Sequence, residues 1–136
     1  MANSFIALDV GRARIGFAGG NDVAKLASAL QSAPTEQAIK KLKELIVEYE
    51  TAGLVVGLPR NLNGDETEQT AWVREWVDIL KVHIELPIYA QDEALTTKLA
   101  EAQALPSKKP QDIDALAAAI ILQDFLDSAE SERVIW

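Results

Sequence analysis

Asp9 closes a short apolar run, Phe5-Ile-Ala-Leu8, and is followed by Val10-Gly-Arg-Ala-Arg-Ile-Gly16. A strand that ends in Asp-x-Gly puts a carboxylate at a strand end, and Gly11 lets the chain turn and lets a ligand come close. An ionised carboxylate there is costly unless it is paired or holds a metal. Further acids fall at comparable places. Asp92 and Glu93 follow Tyr89-Ala90, the end of another apolar run, and Asp114 lies in the first turn of the last helix. Counting from Asp114, Ala117, Ala118, Ile121 and Phe125 share its helical face, so Asp114 heads an apolar stripe; Asp112 points elsewhere and reads as the helix N-cap. Carboxylates arriving from two strands and a helix share a site only if a cation neutralises them. One or two divalent metals there could activate water and stabilise the leaving oxygen of a phosphodiester. The plain alternative spreads these acids over ordinary turns and caps.

The composition suits such chemistry. The 136 residues contain no cysteine and one histidine, His83, so zinc–thiolate and multi-histidine sites are excluded. A metal would be held by oxygen, which favours magnesium or manganese. His83, exposed between a helix and a strand, is assigned no role. Hydrophobic residues make up 49%, enough for a core, and one domain spanning residues 1–136 is the expectation. No apolar run is long enough to span a membrane and the N-terminus lacks signal-peptide features, which points to the cytoplasm. The net charge of −8 argues against broad electrostatic attraction to nucleic acid, so local cations must serve. Arg12, Arg14, Arg60 and Lys98 lie near the motifs; Lys40, Lys41 and Lys43 read as a solvated helix face.

The positioning elements follow from periodicity. Strands are expected over about Ser4–Val10 and Arg14–Gly19, with Ala24–Ala29 as a third. Glu36–Tyr49 reads as a helix with Thr35 as N-cap. Leu54–Leu58 is a buried strand, Pro59–Asp65 a loop, and Glu66–Lys81 a helix with the stripe Trp72, Val73, Trp76, Val77 and Leu80. Leu86–Ala90 is a strand, Thr97–Ala104 a helix, Leu105–Gln111 a loop and Asp112–Ser128 the last helix; the tail to Trp136 reads as poorly ordered. Three consecutive strands and then alternating helix and strand imply a mixed α/β sheet with helices on both faces and a ligand site beyond the strand carboxyl ends.

Four ordered motifs then stand out: Leu8-Asp-Val-Gly-Arg-Ala-Arg-Ile-Gly16, Val55-Val-Gly-Leu-Pro-Arg-Asn-Leu-Asn-Gly64, Asp92-Glu-Ala-Leu-Thr-Thr97 and Asp112-Ile-Asp-Ala-Leu-Ala-Ala118. Together they closely resemble the YqgF family, also called the RuvX or Holliday-junction-resolvase-like family, over nearly the whole chain. The resemblance implies a ribonuclease H-like fold with a mixed five-stranded sheet flanked by helices. It implies a magnesium- or manganese-dependent nuclease that processes the 5′ end of pre-16S rRNA, some members being associated with Holliday junction cleavage. The family's acids carry over onto Asp9, Glu93 and Asp114, as catalytic and metal-holding residues. Its glycine-containing loop carries over onto Gly57, Asn61, Asn63 and Gly64. Arg14, Arg60, Asn61, Asn63 and Lys98 are the expected nucleic-acid contacts. The chain departs from the pattern where the usual Asp-Glu-Arg becomes Asp92-Glu93-Ala94, which removes a charge-assisted donor to phosphate.

Three functions remain in view. The first is a nuclease on structured pre-rRNA; the second is a Holliday junction resolvase-type DNA endonuclease with the same metal chemistry, which would act as a dimer. The third is an inactive ribonuclease H-like binding module, favoured by Ala94 and the acidity. A monomer or weak homodimer fits the first. The resemblance of the fold to sugar and acetate kinases is set aside, since no second domain is present to close over ATP.

Overall fold

The computed structural model describes residues 2–94 and 109–136, with only the backbone of Ala94, Pro110 and Gln111. Six strands form one sheet: β1 (Ser4–Val10), β2 (Arg14–Asn21), β3 (Ser28–Pro34), β4 (Gly53–Arg60), β5 (Ile88–Ala94) and β6 (Val134–Ile135). Their order is β3-β2-β1-β4-β5-β6. β2 is antiparallel to both β1 and β3, β4 runs parallel to β1 and β5, and β6 is antiparallel to β5. The parallel strands carry near-continuous apolar runs because both of their faces are covered.

Strand alternation divides the core into two layers. Ile6, Leu8 and Val10 of β1 and Leu54 and Val56 of β4 face α1 (Ala38–Glu48) and α2 (Glu68–His83), packing with Leu42, Leu45, Val73, Trp76, Val77 and Leu80. Phe5, Ala7, Ala18 and Val55 face the other way, onto Ala118, Ile121, Leu122, Phe125 and Leu126 of α3 (Pro110–Asp127). Each large apolar side chain buried in these layers contributes about 1.5–3 kcal/mol. The expected apolar stripe below Asp114 is therefore real: Ala117, Ala118, Ile121 and Phe125 are all buried.

α3 lies very close to the sheet, and glycine is the reason. A Cβ built on Gly16 would collide with the backbone of Asp114 and Ala115, and one on Gly57 would collide with the tip of Ile121. Alanines on the helix side, Ala115, Ala117 and Ala118, complete the close contact.

Several boundaries differ from the expectations. The sheet has six strands, not five, because the tail is ordered. Val134 pairs with Ala90 and Ile135 with Tyr89, and Trp136 N–H donates to the Ile88 carbonyl at 2.9 Å. The pairing shields the β5 edge. Trp136 packs on the first core layer, under the Arg74 guanidinium at 5.4 Å, while Arg133 stacks on Phe125 at 4.3 Å. The third strand is Ser28–Pro34, later than Ala24–Ala29, because Gln31, Ser32 and Ala33 are needed opposite Phe17, Gly16 and Ile15.

Thr35 does not cap a helix; it opens a 3-10 turn, Thr35–Gln37, and its hydroxyl donates to the Gly11 carbonyl at 2.7 Å. α2 starts at Glu68 behind a Thr67–Thr70 capping box. α3 starts at Pro110, so residues 110 and 111 are helical, Lys109 is the N-cap in place of Asp112, and Asp114 sits in the second turn. β5 runs on to Ala94, so Asp92 and Glu93 are strand residues. The helix expected over Thr97–Ala104 and the start of the loop after it lie outside the described residues.

Gly16→Ala is expected to lower stability by about 1–3 kcal/mol, because the new methyl meets helix backbone and nothing can rotate aside. Gly57→Ala should cost less, since the Ile121 tip can turn away. Urea denaturation would compare the two. A Gly16→Ala midpoint equal to that of the parent would mean that α3 does not need so close an approach.

Candidate active site

Alternation decides which acids meet. Asp9 is on the α3 face of β1, two residues beyond Ala7, and its cross-strand partner is Gly16. Glu93 is on the same face of β5, four residues beyond Tyr89. Asp114 arrives from α3, its backbone against Gly16. All three acids therefore lie on one face, at the carboxyl ends of the parallel strands. Asp9 and Glu93 are half-buried, one carboxylate oxygen of Glu93 is buried, and the Asp114 side chain is 20% exposed.

Asp92 is turned to the opposite face by the same alternation. The extension of β5 thus separates two acids that the sequence placed side by side.

The three acids are neighbours without being in contact as a trio. β4 lies between β1 and β5, and Glu93 stands two residues further along than Asp9, so roughly 12 Å of sheet separates their backbones. Gly57 is the floor between them, and Ile121 covers it. Among the described residues, no three His, Cys, Asp or Glu side chains gather closely enough to hold a metal ion. The donor chemistry suits a hard divalent cation, since all three candidates are carboxylates. The Asp114 carboxylate is instead held by an arginine: Arg14 Nε donates to Asp114 Oδ2 at 2.6 Å. Arg14 opens β2 on the α3 face, and its side chain is 43% exposed.

The other expected contacts are placed differently. Arg60 ends β4 at the same edge but on the α1/α2 face. Its Nε donates to Asp92 Oδ1 at 3.0 Å and its Nη1 to the Gly64 carbonyl at 3.3 Å, with Glu66 at 3.7 Å. Glu66 also takes two hydrogen bonds from Arg74, which hold its carboxyl below the usual carboxylate range. Arg60 is thus engaged in shaping the loop after β4. Asn61 closes that loop from inside, its Oδ1 accepting from the Asn63 and Asp65 amides at 3.0 and 2.9 Å. Asn63 is exposed, and Gly64 takes φ +83°. With Leu62 and Glu93, this loop borders a cleft of about 390 Å³. Arg12 lies over Trp72, its guanidinium 5.5 Å from the ring. Lys98 lies outside the described residues.

Two contributors were missed from sequence. Thr70 is buried, and its hydroxyl donates to the Pro59 carbonyl while accepting from the Thr67 amide at 2.9 Å, which ties the end of β4 to the start of α2. The Thr67-x-x-Thr70 spacing was the available signal. Gly16 reads from the sequence as a strand residue that closes the first motif, although a glycine inside a strand often marks a close backbone approach.

Known proteins share this architecture. A profile of the RuvX family, described as Holliday junction resolvase, matches residues 3–128. A protein of Roseiflexus sp. (strain RS-1) is 45% identical over 90% of this chain and 93% of its own length, and is named "Putative pre-16S rRNA nuclease". A protein of the same name from Chloroflexus aggregans is 36% identical over 92% of this chain and 94% of its own. Among solved structures, Thermus thermophilus RuvC superposes with a TM-score of 0.58 at 13% identity, covering 98% of this chain and 99% of that one. RuvC of the same organism in complex with Holliday junction substrate gives 0.60 at 14% identity, with the same coverage. At such identities the likeness is one of fold. The profile match across nearly the whole chain, and the relatives at 36–45% identity, decide the matter: this chain belongs to the RuvX family of nucleases.

Proposed function

We propose that this nuclease is divalent-metal dependent and acts on structured RNA, trimming the 5′ end of pre-16S rRNA in the cytoplasm. The observation that carries the reading is the placement of Asp9, Glu93 and Asp114 on one face at the strand carboxyl ends. The name borne by the relatives supports the substrate. Asp9, Glu93 and Asp114 would hold magnesium or manganese, which supplies the Lewis acidity for attack of water on a phosphodiester.

The chain's own side chains bind and orient. Arg14, beside the acids and partly exposed, is suited to a substrate phosphate. Asn61, Leu62 and Gly64 border the cleft next to Glu93, and Asn63 of the same loop is exposed to a sugar or phosphate. Arg60 supports that loop through Gly64, Glu66 and Asp92. With a net charge of −8, binding depends on these local groups. Among the described residues no helix is long and apolar enough to cross a membrane.

Asp9→Asn keeps the shape of the side chain and removes its charge. It is expected to lower RNA cleavage by about a hundredfold or more while leaving the thermal midpoint near that of the parent, because metal-ion catalysis supplies several kcal/mol. The assay offers a structured pre-rRNA fragment and a four-way DNA junction, with and without manganese. Cleavage of the RNA by Asp9→Asn at the parent rate would refute the mechanism, and cleavage of the junction alone would move the substrate to branched DNA.

Arg14→Ala should weaken RNA binding across sequences and lower the salt slope by roughly one. Ala94→Arg restores the family's donor. It should raise affinity or rate, since a hydrogen bond to a charged group is worth about 1.5–3 kcal/mol. Fluorescence anisotropy across a salt series reads both variants. If Ala94→Arg changes neither quantity and Arg14→Ala leaves the slope intact, the phosphate path lies elsewhere and the inactive binding module becomes the better account.

A further inference from the structure

The short Arg14–Asp114 contact at the acidic face is also one that stands against a metal there. Arg14 Nε lies 2.6 Å from Asp114 Oδ2, a charge-assisted hydrogen bond at the short end of its range. The Asp114 backbone lies directly against Gly16, which holds its carboxylate near the start of β2. Gly16 in turn sits opposite Asp9, and Arg14 is two residues earlier on the same strand and the same face. The guanidinium is therefore a fixed-charge cation standing where a third carboxylate would otherwise be offered. A guanidinium carries its charge at every pH the protein meets, so protonation cannot release it. Only a competing anion or a competing cation can.

We propose that Arg14 is a latch that exchanges between two anions. In the free protein it neutralises Asp114 and so weakens the hold of the acids on a divalent ion. A substrate phosphate draws the guanidinium away, which frees Asp114 and lets the metal bind. Substrate and metal then bind cooperatively, and each strengthens the other by the same factor. The exposure of Arg14 makes the exchange feasible, since its side chain already meets solvent. The consequence for function is economy of cleavage: the metal site is completed on a phosphate backbone and is incomplete without one. This inference rests on the metal-dependent reading above, and its test keeps the two apart.

The experiment measures manganese binding directly, by the loss of the free-ion electron paramagnetic resonance signal, with no turnover involved. The parent chain, Arg14→Ala, Arg14→Gln and Asp9→Asn are titrated with manganese, alone and with an RNA hairpin carrying a non-cleavable linkage. Arg14→Ala and Arg14→Gln should bind manganese alone at least about threefold more tightly than the parent, as removal of one nearby positive charge requires. The hairpin should tighten manganese binding in the parent and do so far less in either Arg14 variant. Asp9→Asn should weaken manganese binding in every condition. Two substitutions at position 14 guard against one that disturbs the fold, which thermal melting would reveal.

If both Arg14 variants bind manganese no more tightly than the parent while Asp9→Asn still weakens it, the latch is wrong and the metal site stands. Equal hairpin enhancement in the parent and the Arg14 variants would also overturn the latch. If Asp9→Asn leaves manganese binding unchanged, the metal site itself falls and the latch with it.

Discussion

The distance between α3 and the sheet governs everything at the candidate site. Gly16 and Gly57 remove two side chains from the strand side, and Ala115, Ala117 and Ala118 keep the helix side small. The helix backbone then rests directly on β2, and Asp114 is carried over the strand ends where Asp9 and Glu93 already stand. A larger residue at position 16 would push the helix out and take Asp114 with it. The same contact buries Ile121, Leu122, Phe125 and Leu126 against Phe5, Ala7 and Val55, so a core layer and the third acid share one constraint.

Electrostatics divides the edge of the sheet into two different environments. On the α1/α2 side, Asp92, Arg60, Glu66 and Arg74 compensate one another, and Arg74 continues the chain onto the Trp136 ring. Those pairs are largely exposed, so each contributes little to stability. Their effect is on shape, since they hold the loop after β4 and the C-terminal strand in place. On the α3 side stand three carboxylates and the guanidinium of Arg14. A set of carboxylates suits a hard divalent cation, and it sits in a chain that is acidic overall.

Much of this was legible in the sequence, and the exceptions have physical causes. The strand–turn–strand around Asp9, the helix stripes and the apolar face below Asp114 were all readable, because burial imposes their period directly. Asp114 could be assigned to the apolar face from its spacing to Ala118, Ile121 and Phe125. The end of β5 could not be read, because Gln91, Asp92 and Glu93 are polar and look like loop; pairing with Gly57, Leu58 and Pro59 of β4 makes them strand. That long-range pairing sends Asp92 away from Glu93. The C-terminal strand was hidden for the same reason, since Val134-Ile135 is too short to signal anything without β5 beside it. The Arg14–Asp114 pair spans 100 residues, and no local pattern announces it. The Arg60 contacts to Asp92, Gly64 and Glu66 likewise depend on the way β4 and β5 pair, which no local pattern gives.

Asp9, Glu93 and Asp114 are proposed to serve one ion. The most direct measurement is anomalous diffraction from crystals of the protein with manganese and a bound RNA fragment. The account predicts a single strong peak on the α3 face at the strand carboxyl ends, with carboxylate oxygens of at least two of the three acids at roughly 2.0–2.6 Å. A manganese peak elsewhere in the complex, with these three side chains uncoordinated, would contradict it.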